Sequence, residues 1–425
     1  MKHLGLLLLT TLAMLLGTGS AFAQSHNEQG KHHDSHHREA AIEAFAATAR
    51  CGAQQPHNPQ FIFSTRDNKF MFGIGASVNL RTSYDFNGAM GNIDFIPYDI
   101  PDGNLYANRQ RVMMDASTSR IFFKAIINTE GIGPIVAVTD IDFRGGEEFS
   151  YIPRLRSAYV QMLGFTIGRD VTTFCDLEAA PRTVDFQGPN AYNFRFTEMI
   201  RYEHSFLRDH LTLGIAAEMP VVDATYGEYF SPIYQRVPDG IAYLQYAWGE
   251  SRTSHVRISG VVRDMYLHDN HNGKNTTQFG WGVQFSGHIE ASRWIDLYMN
   301  GVYGRGITPY IQDLTGSSFD FVYDPEHPTR LQTLPMWGWQ AAAQINLVPG
   351  RCWLAGGYSE VHLEEHHGAL SDSQYSRGHY IFANAFCNIT NNLTVALEYL
   401  HGGRENIGGS KNKSNRLSLM AQYNF

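Results

Sequence analysis

Residues 69–86 alternate between apolar and mostly polar side chains over a longer stretch than an ordinary strand needs. Apolar residues, with one threonine among them, occupy the even positions from Phe70 to Phe86, and glycine, serine, asparagine and charged residues fill most odd positions. Side chains of a strand point to opposite faces in turn, and strands of globular proteins usually contain about 3–10 residues. The segment therefore predicts a tilted, membrane-spanning β-strand.

The same alternation recurs along the chain and defines its last segment. Seven further stretches repeat it, beginning at Ile121, Ile135, Leu211, Phe279, Ile295, Trp337 and Leu393. From Asn415 onward the apolar positions lead to a C-terminal aromatic residue, Phe425. This ending resembles the closing strand of bacterial outer-membrane barrels. The resemblance implies that the barrel-insertion machinery recognises Phe425.

The first 23 residues have the pattern of a cleavable secretory signal. Lys2 precedes an apolar run from Leu6 to Leu16, and small residues at Ala21 and Ala23 form a cleavage-site pattern. We therefore predict a signal peptide at 1–23. Later in the chain no run of 18 apolar residues could form a transmembrane helix, so only strands can span a membrane here. The basic residues are scattered singly, which argues against a nucleic-acid surface.

Residues 24–60 differ from the rest and predict a His-rich periplasmic extension with one short helix. One helical face carries Ile42, Phe45, Ala46 and Ala49. Because so short a helix is marginal alone, we expect it to pack against a partner or to fray. Four histidines are weak candidates for metal ligands: His32, His33, His36 and His37. Their spacing fits either metal capture or a solvated tail.

The connections between the predicted strands alternate in length. Seven short links alternate with eight longer polar ones near 87–106, 145–152, 171–194, 220–239, 267–277, 305–334, 363–376 and 401–414. This alternation predicts an all-β fold, an antiparallel transmembrane β-barrel of about 16 strands over residues 61–425, with both termini at the short-turn end. About 16 strands leave room for an aqueous channel. Aromatic girdles would include Trp294, Trp353 and Phe425 at the short-turn end.

Residues 119–202 carry the most specific motifs of the chain. They include Arg154-Leu155-Arg156-Ser157-Ala158-Tyr159, Phe174-Cys175-Asp176-Leu177-Glu178 and Val184-Asp185-Phe186-Gln187-Gly188-Pro189. This region resembles the DcaP-like porins of Gram-negative bacteria. The resemblance implies a homotrimeric outer-membrane porin whose third long loop folds into the barrel. It also implies a periplasmic helical extension, which would give the short helix its own copies in the trimer as partners.

Charged side chains on the polar parity of these strands and in the inward loop are expected to line or constrict the pore. They are Arg120, Lys124, Asp140, Arg144, Arg156, Arg169, Asp176, Glu178, Arg182, Asp185, Arg195, Arg201 and Glu203. Arginines facing acidic loop residues across a narrow waist would select solutes by charge. Alternatively, the same charges form salt bridges that hold the loop against the wall. Arg169 shares the parity of Phe165 and Ile167, so the strand end must twist or bulge for this residue to face the lumen.

Two of the four cysteines lie at the ends of neighbouring predicted strands. Cys352 opens one predicted strand and Cys387 closes the next, so they form either a cross-strand disulfide or two free thiols. Cys51 and Cys175 have no evident partner, and we predict that neither is catalytic.

The sequence predicts passive diffusion of small hydrophilic solutes, and the resemblance implies a bias to anions such as small carboxylates. The expected partners are outer-membrane lipids, two further copies of the chain and the solutes; no cofactor is expected. An enzyme is not expected, because no Gly-x-Ser-x-Gly motif occurs and the densest His/Glu cluster, 362–367, lies in a predicted loop. The main alternative is an adhesin or surface ligand-binding barrel that acts through its long loops.

Overall fold

The computed structural model describes residues 31–49, 58–103, 105–249, 252–365 and 368–425. The predicted signal peptide and Cys51 lie outside these residues. Within them, no helix is long and apolar enough to cross a membrane.

One α-helix precedes a series of strands in the described residues. The helix is α1 (Lys31–Ala47), and the strands are β1 (Phe61–Ser64), β2 (Phe70–Asn87), β3 (Arg111–Asp115), β4 (Arg120–Thr129), β5 (Gly133–Asp142), β6 (Arg154–Met162), β7 (Phe165–Val171), β8 (Phe196–Phe206), β9 (Leu211–Glu218), β10 (Phe230–Pro232), β11 (Asp239–Trp248), β12 (Ser254–Asp269), β13 (Lys274–Ser292), β14 (Ile295–Arg305), β15 (Val322–Tyr323), β16 (Leu331–Gln332), β17 (Pro335–Val348), β18 (Cys352–Leu363), β19 (Tyr375–Asn388), β20 (Leu393–Asn406) and β21 (Lys411–Asn424). Short 3₁₀ turns occupy Pro97–Asp99, Tyr106–Asn108, Leu177–Ala179, Thr308–Tyr310 and Gln312–Leu314.

The long strands form a closed antiparallel barrel of 16 strands. Pairing of β2 with β21, from Ser77 opposite Asn424 upward, closes it. β3 and β4 count as one barrel strand, because they pair with successive halves of β2. The short β1 pairs with the first residues of β2 and continues the line of β21 below Phe425. The predicted all-β fold of about 16 strands is confirmed.

The alternation in sequence becomes an alternation between lumen and outer surface. In β2 the outward residues Val78 and Leu80 are exposed, whereas Asn79 and Arg81 point inward and are buried. In β21 the outward residues Leu419, Tyr423 and Phe425 are likewise exposed. An apolar outer band and a polar interior are the pattern of a transmembrane barrel.

The connections differ from the predicted lengths at two places. The links at 270–273 and 407–410 join strands that end at Asp269 and Asn406, so both are four-residue turns rather than long loops. The polar residues near these turns continue the ladder of backbone hydrogen bonds beyond the apolar band. Polarity alone therefore overestimated the lengths of these two loops.

Helix α1 packs against the inner wall of its own barrel. Ala41 and Phe45 are buried in a cluster with inward residues of β2, β4, β5 and β6, namely Met71, Ile126, Val136, Val138 and Tyr159. Ile42 is half exposed, and Ala46 and Ala49 are exposed, so the buried face differs from the predicted one. A partner was expected for this helix, and in this single chain the partner is the barrel wall.

Candidate pore constriction

Loop 3, residues 172–195 between β7 and β8, runs along the inner wall of the barrel. Its polar groups bond to inward side chains of β13, β14, β17, β18, β19 and β20, including Ser286, Asn300, Gln340, Ser359, Asn384 and Glu398. Because a loop inside the lumen must satisfy its backbone polar groups, these inward polar side chains explain why it can lie there. It leaves open the side of the lumen lined by β2, β4 and β21.

Asp176 anchors the first limb of loop 3. Its carboxylate lies 3.0 Å from His255 Nε2 and accepts a hydrogen bond of 2.6 Å from the Ser286 hydroxyl. Burial favours a raised pKa, but the hydrogen bond and charge of His255 prevail and lower the pKa of Asp176 to about 2. This carboxylate is buried behind the loop and does not face an arginine across the lumen, contrary to our expectation.

The tip of loop 3 is held by the opposite wall. Glu398 on β20 accepts backbone hydrogen bonds from Val184 (2.9 Å) and Asp185 (2.7 Å). The carboxylate of Asp185 is buried, and it accepts hydrogen bonds from the backbone N–H of Phe95 and from the hydroxyl of Tyr380. Burial and the nearby carboxylate of Asp94 raise the pKa of Asp185 to about 6. Asp185 is thus also buried, and it too fails to face the arginines as predicted.

Loop 6, residues 306–334, packs on the return limb of loop 3. Asn190 donates to the carboxylate of Asp313 (3.1 Å), and Asn193 donates to the carbonyl of Tyr310 (2.6 Å). Burial raises the pKa of Asp313 to about 6. The ring of Tyr310 also lies 4.9 Å from the Arg195 guanidinium, which donates to the Met219 carbonyl.

An arginine ladder stands on the inner wall of β4 to β6, paired with aspartates of the same wall. Arg156 lies 3.0 Å from both Asp140 and Asp142. Arg120 also binds Asp140, and Arg154 binds Asp142 at 2.5 Å. The carboxylates therefore neutralise these arginines locally, so the ladder is a structural network as well as a lumen wall.

Loops 1 (88–110) and 2 (143–153) meet loop 3 beside this ladder. Asp94 of loop 1 binds Arg144 of loop 2 and lies 3.5 Å from Arg81 on β2. The guanidinium of Arg144 lies 4.6 Å from the ring centroid of Phe186 at the loop 3 tip, and that of Arg156 lies 5.3 Å from it. Phe186 thus faces the arginines across the waist, where we had expected acidic residues.

Arg182 is one of three arginines near loop 3, with Arg195 and Arg257, that form no salt bridge among the described residues; the other two donate to the carbonyls of Met219 and Thr173. Among the described residues, no carboxylate lies within salt-bridge distance of its guanidinium. Its guanidinium lies 5.5 Å and 5.3 Å from the ring centroids of Trp353 and Phe386, which stack on the lumen side of the wall. Burial lowers the pKa of Arg182, but an arginine stays charged at neutral pH. Trp353 therefore supports this cation and does not belong to the outer girdle.

A cavity of about 100 Å³ lies between the loop 3 tip and the open wall. Its lining includes Arg81, Arg120, Arg182, Asp185 and Phe186. Three buried polar atoms of its lining have no hydrogen-bond partner within the described residues: Asn79 Oδ1, Thr118 Oγ1 and Gln187 Nε2. Unsatisfied polar atoms in a polar cavity favour water or a polar solute.

Of four further predicted pore residues, Lys124 and Arg169 have other roles, whereas Arg201 and Glu203 lie on the lumen side. Lys124 donates to the carbonyls of Phe45 (3.3 Å) and Thr48 (2.8 Å), so it caps helix α1 rather than lining a constriction. Arg169 lies on the outer surface, where it pairs with Glu198 at 2.6 Å, because β7 contains no bulge that would turn it inward. Arg201 and Glu203 lie on the lumen side, 3.2 Å apart.

Glu178 is the partly exposed acidic residue of loop 3. Its carboxylate lies 3.6 Å from His255 Nδ1. It is the one predicted acidic residue of this loop that keeps access to the lumen.

The structure describes one cysteine pair and one free cysteine, but not the side chains of the predicted metal ligands. Cys352 and Cys387, opposite each other on β18 and β19, are joined by a disulfide, and Cys175 is buried and free. The described residues contain no cluster of three potential metal ligands. The side chains of His32, His33, His36 and His37 in α1 lie outside the described part of the chain.

Sequence reasoning missed several residues that position loop 3. Glu398 and Arg81 have the inward parity of their strands, so parity could have identified both. Asp94 and Phe186 lie in loops, where no periodic signal exists.

A known family of outer-membrane proteins matches part of this chain. Residues 57–230 match the model of the DcaP outer membrane protein family. The predicted resemblance to the DcaP-like porins is confirmed. No curated protein matches the chain significantly.

Solved structures share the fold of this chain. The crystal structure of the outer membrane channel DcaP of Acinetobacter baumannii aligns with a TM-score of 0.73 at 19% identity, over 85% of this chain and 99% of that one. The anion-selective porin from Comamonas acidovorans aligns with a TM-score of 0.53 at 10% identity, over 84% and 100%. The trimer form of OmpT of Vibrio cholerae aligns at 0.51 and 12%, over 84% and 99%. These similarities support an outer-membrane barrel of the porin type.

Proposed function

We propose that this chain is an outer-membrane channel for passive diffusion of small hydrophilic solutes, with a preference for anions such as small carboxylates. A barrel of 16 strands is wide enough for an aqueous path. Loop 3 narrows that path to the gap between its tip and the walls of β2, β4 and β21. A solute that crosses the barrel therefore passes Arg182 and Phe186.

The observation that carries the preference for anions is the unpaired charge of Arg182. The other arginines of the cavity, Arg81 and Arg120, have aspartate partners. The carboxylates of Asp176 and Asp185 are buried in contacts with the wall. An uncompensated cation in a narrow, poorly solvated passage attracts anions, because charge interactions strengthen as the effective dielectric constant falls.

The rings of Phe122 and Phe186, which line the cavity together with Arg182, support a preference for carboxylates with an apolar or aromatic body. The cation would bind the carboxylate, and the rings would contact the rest of the solute. The Comamonas acidovorans porin, which is named as anion-selective, is a further reason to test this preference.

We also propose that the protein is a homotrimer with its N-terminal extension in the periplasm. Arg169 and Glu198 form a charged pair on the outer surface, directly next to the outward residues Ile167 and Ile200. A charge that faces lipid within the apolar band costs about 2–4 kcal/mol for arginine. Contact with a second copy would remove this pair from lipid.

The solute preference can be tested by swelling of liposomes that contain the purified protein. We expect a small aromatic carboxylate to enter faster than a neutral sugar or an amine of similar size. Arg182→Gln should reduce the advantage of the carboxylate, and Arg182→Lys should retain part of it. Equal entry rates for all three solutes in the wild type would overturn the proposed selectivity.

A further inference from the structure

The outer surface of β19, β20 and β21 changes abruptly from apolar to basic toward the long-loop end. On β21 the outward residues from Phe425 to Leu417 are apolar, and Asn415, Lys413 and Lys411 follow. Nine strand residues at about 3.3 Å each, tilted by about 40°, cover about 23 Å. This height matches the apolar band of an outer-membrane barrel, which is about 25 Å tall. The polar rows therefore begin where the hydrocarbon of the outer leaflet ends.

The strand register aligns the polar residues of the three strands in level rows. The lowest row contains Ile381, His401 and Asn415; the next contains His379, Gly403 and Lys413; the highest contains Arg377, Glu405 and Lys411. Five basic side chains thus lie on one small area of the outer surface, which we call the basic rim patch. Its members are Arg377, His379, His401, Lys411 and Lys413.

Gly403, which has no side chain, leaves room for the ring of His379 at the centre of this patch. A Cβ atom at Gly403 would lie 2.2 Å from the ring of His379, so that ring lies across the glycine backbone. The ring centroids of His379 and His401 are 5.6 Å apart. His401 Nδ1 is 2.8 Å from Asn415 Oδ1, which leaves its Nε2 free of that contact.

Acidic residues neutralise only part of the patch. Arg377 binds Glu360 at 2.7 Å, and Lys411 lies 3.2 Å from Glu405. Glu360 is further occupied by the indole of Trp339 and the hydroxyl of Tyr358. Among the described residues, Lys413 and His379 have no ion pair. The patch therefore presents a positive charge and several N–H donors next to an apolar surface.

We propose that the basic rim patch binds the phosphorylated headgroup of a lipid of the outer leaflet. The phosphate would bind Lys413, His379 and Lys411, while the acyl chains lie along outward residues such as Leu417 and Leu397. Basic residues at a membrane surface attract anionic lipids in this way. The patch continues into the apolar band, so a lipid can contact both the basic residues and the apolar residues below them. A free phosphate can contact only the basic residues. This site is distinct from the lumen and does not depend on the proposed solute.

The test compares lipid binding by the purified full-length protein and two variants in detergent. The probe is bisphosphorylated lipid A, and retained lipid is counted by native mass spectrometry. Lys411→Ala/Lys413→Ala should weaken binding about 25-fold, since each basic residue contributes about fivefold. Lys69→Ala is the matched control, because this exposed lysine lies at the opposite rim.

Three further outcomes decide between the sources of phosphate and the contributions of charge. Lipid A without phosphates should bind the wild type weakly. Its affinity should not exceed the affinity of the double variant for bisphosphorylated lipid A. Excess inorganic phosphate should not displace lipid A; complete displacement would instead indicate an ion site and would overturn the proposal. Equal losses in the double variant and in Lys69→Ala, or no loss in either, would also overturn it. If the double variant does not fold, as judged by heat-modifiable electrophoretic mobility, Lys413→Gln alone replaces it.

Discussion

Replacing Phe45 with alanine should release helix α1 from the inner wall of the barrel. The Phe45 side chain is 1% exposed and packs in the apolar cluster formed with β2, β4, β5 and β6. Removing a buried phenylalanine side chain costs about 3–5 kcal/mol. Because about 1.4 kcal/mol changes an equilibrium tenfold, the ratio of docked to undocked helix should fall by a factor of roughly 100 to 4,000. Lys124 still caps the helix, but hydrogen bonds to carbonyl groups cannot replace this burial.

Hydrogen–deuterium exchange measures this release directly. In the wild type the backbone amides of 41–48 should exchange slowly, and in Phe45→Ala they should exchange at least about a hundredfold faster. Ile42→Ala is the matched control, since Ile42 is on the same helix but 48% exposed. Single-channel conductance should rise in Phe45→Ala, because the helix lies against the lumen side of the wall. Unchanged exchange in Phe45→Ala, or equal acceleration in Ile42→Ala, would refute the docking argument.

Two further predictions follow from the loops and from the outer surface. Burial raises the pKa of Asp313 from 3.8 to about 6, so its ionisation opposes folding: its contribution to stability is greatest below about pH 4 and falls as the pH rises to about 6. Asp313→Asn should remove this part of the pH dependence, measured as the midpoint of heat-induced unfolding between pH 4 and 7; an unchanged slope would contradict the assignment. Glu198→Ala should weaken trimers in mild detergent, because it leaves Arg169 unpaired at the proposed interface, whereas Glu130→Ala at the short-turn rim should not. Equal trimer populations in all three proteins would place the interface elsewhere.

Strand parity accounts for most of the fold that could be predicted. A lipid-facing residue and a lumen-facing residue alternate along each strand, so Phe70 to Phe86 revealed both surfaces of β2 without any contact information. The same rule places Arg169 on the outer surface. The prediction that Arg169 faces the lumen was wrong because it required a distortion of β7 that the strand does not have. The structure supports the simple parity rule, with Glu198 as the outward partner.

The site was less predictable because its charges depend on contacts between distant parts of the chain. Asp176 and Asp185 look like lumen carboxylates in sequence, but their partners His255 and Tyr380 are 79 and 195 residues away. Lys124 has the correct inward parity, yet helix α1 covers it. Arg182 could be proposed from sequence, but its lack of a partner is visible only once every nearby carboxylate has been assigned.

The anion preference can be measured as the zero-current potential in a planar bilayer under a potassium chloride gradient. We expect a potential of the sign that chloride preference gives. In Arg182→Gln the ratio of chloride to potassium permeability should fall about threefold to tenfold, as expected for losing one charge at close range in a partly solvated passage. Arg252→Gln, at a short turn outside the lumen, should behave as the wild type. Cation preference in the wild type, or an unchanged ratio in Arg182→Gln, would contradict an anion-selective constriction built around Arg182.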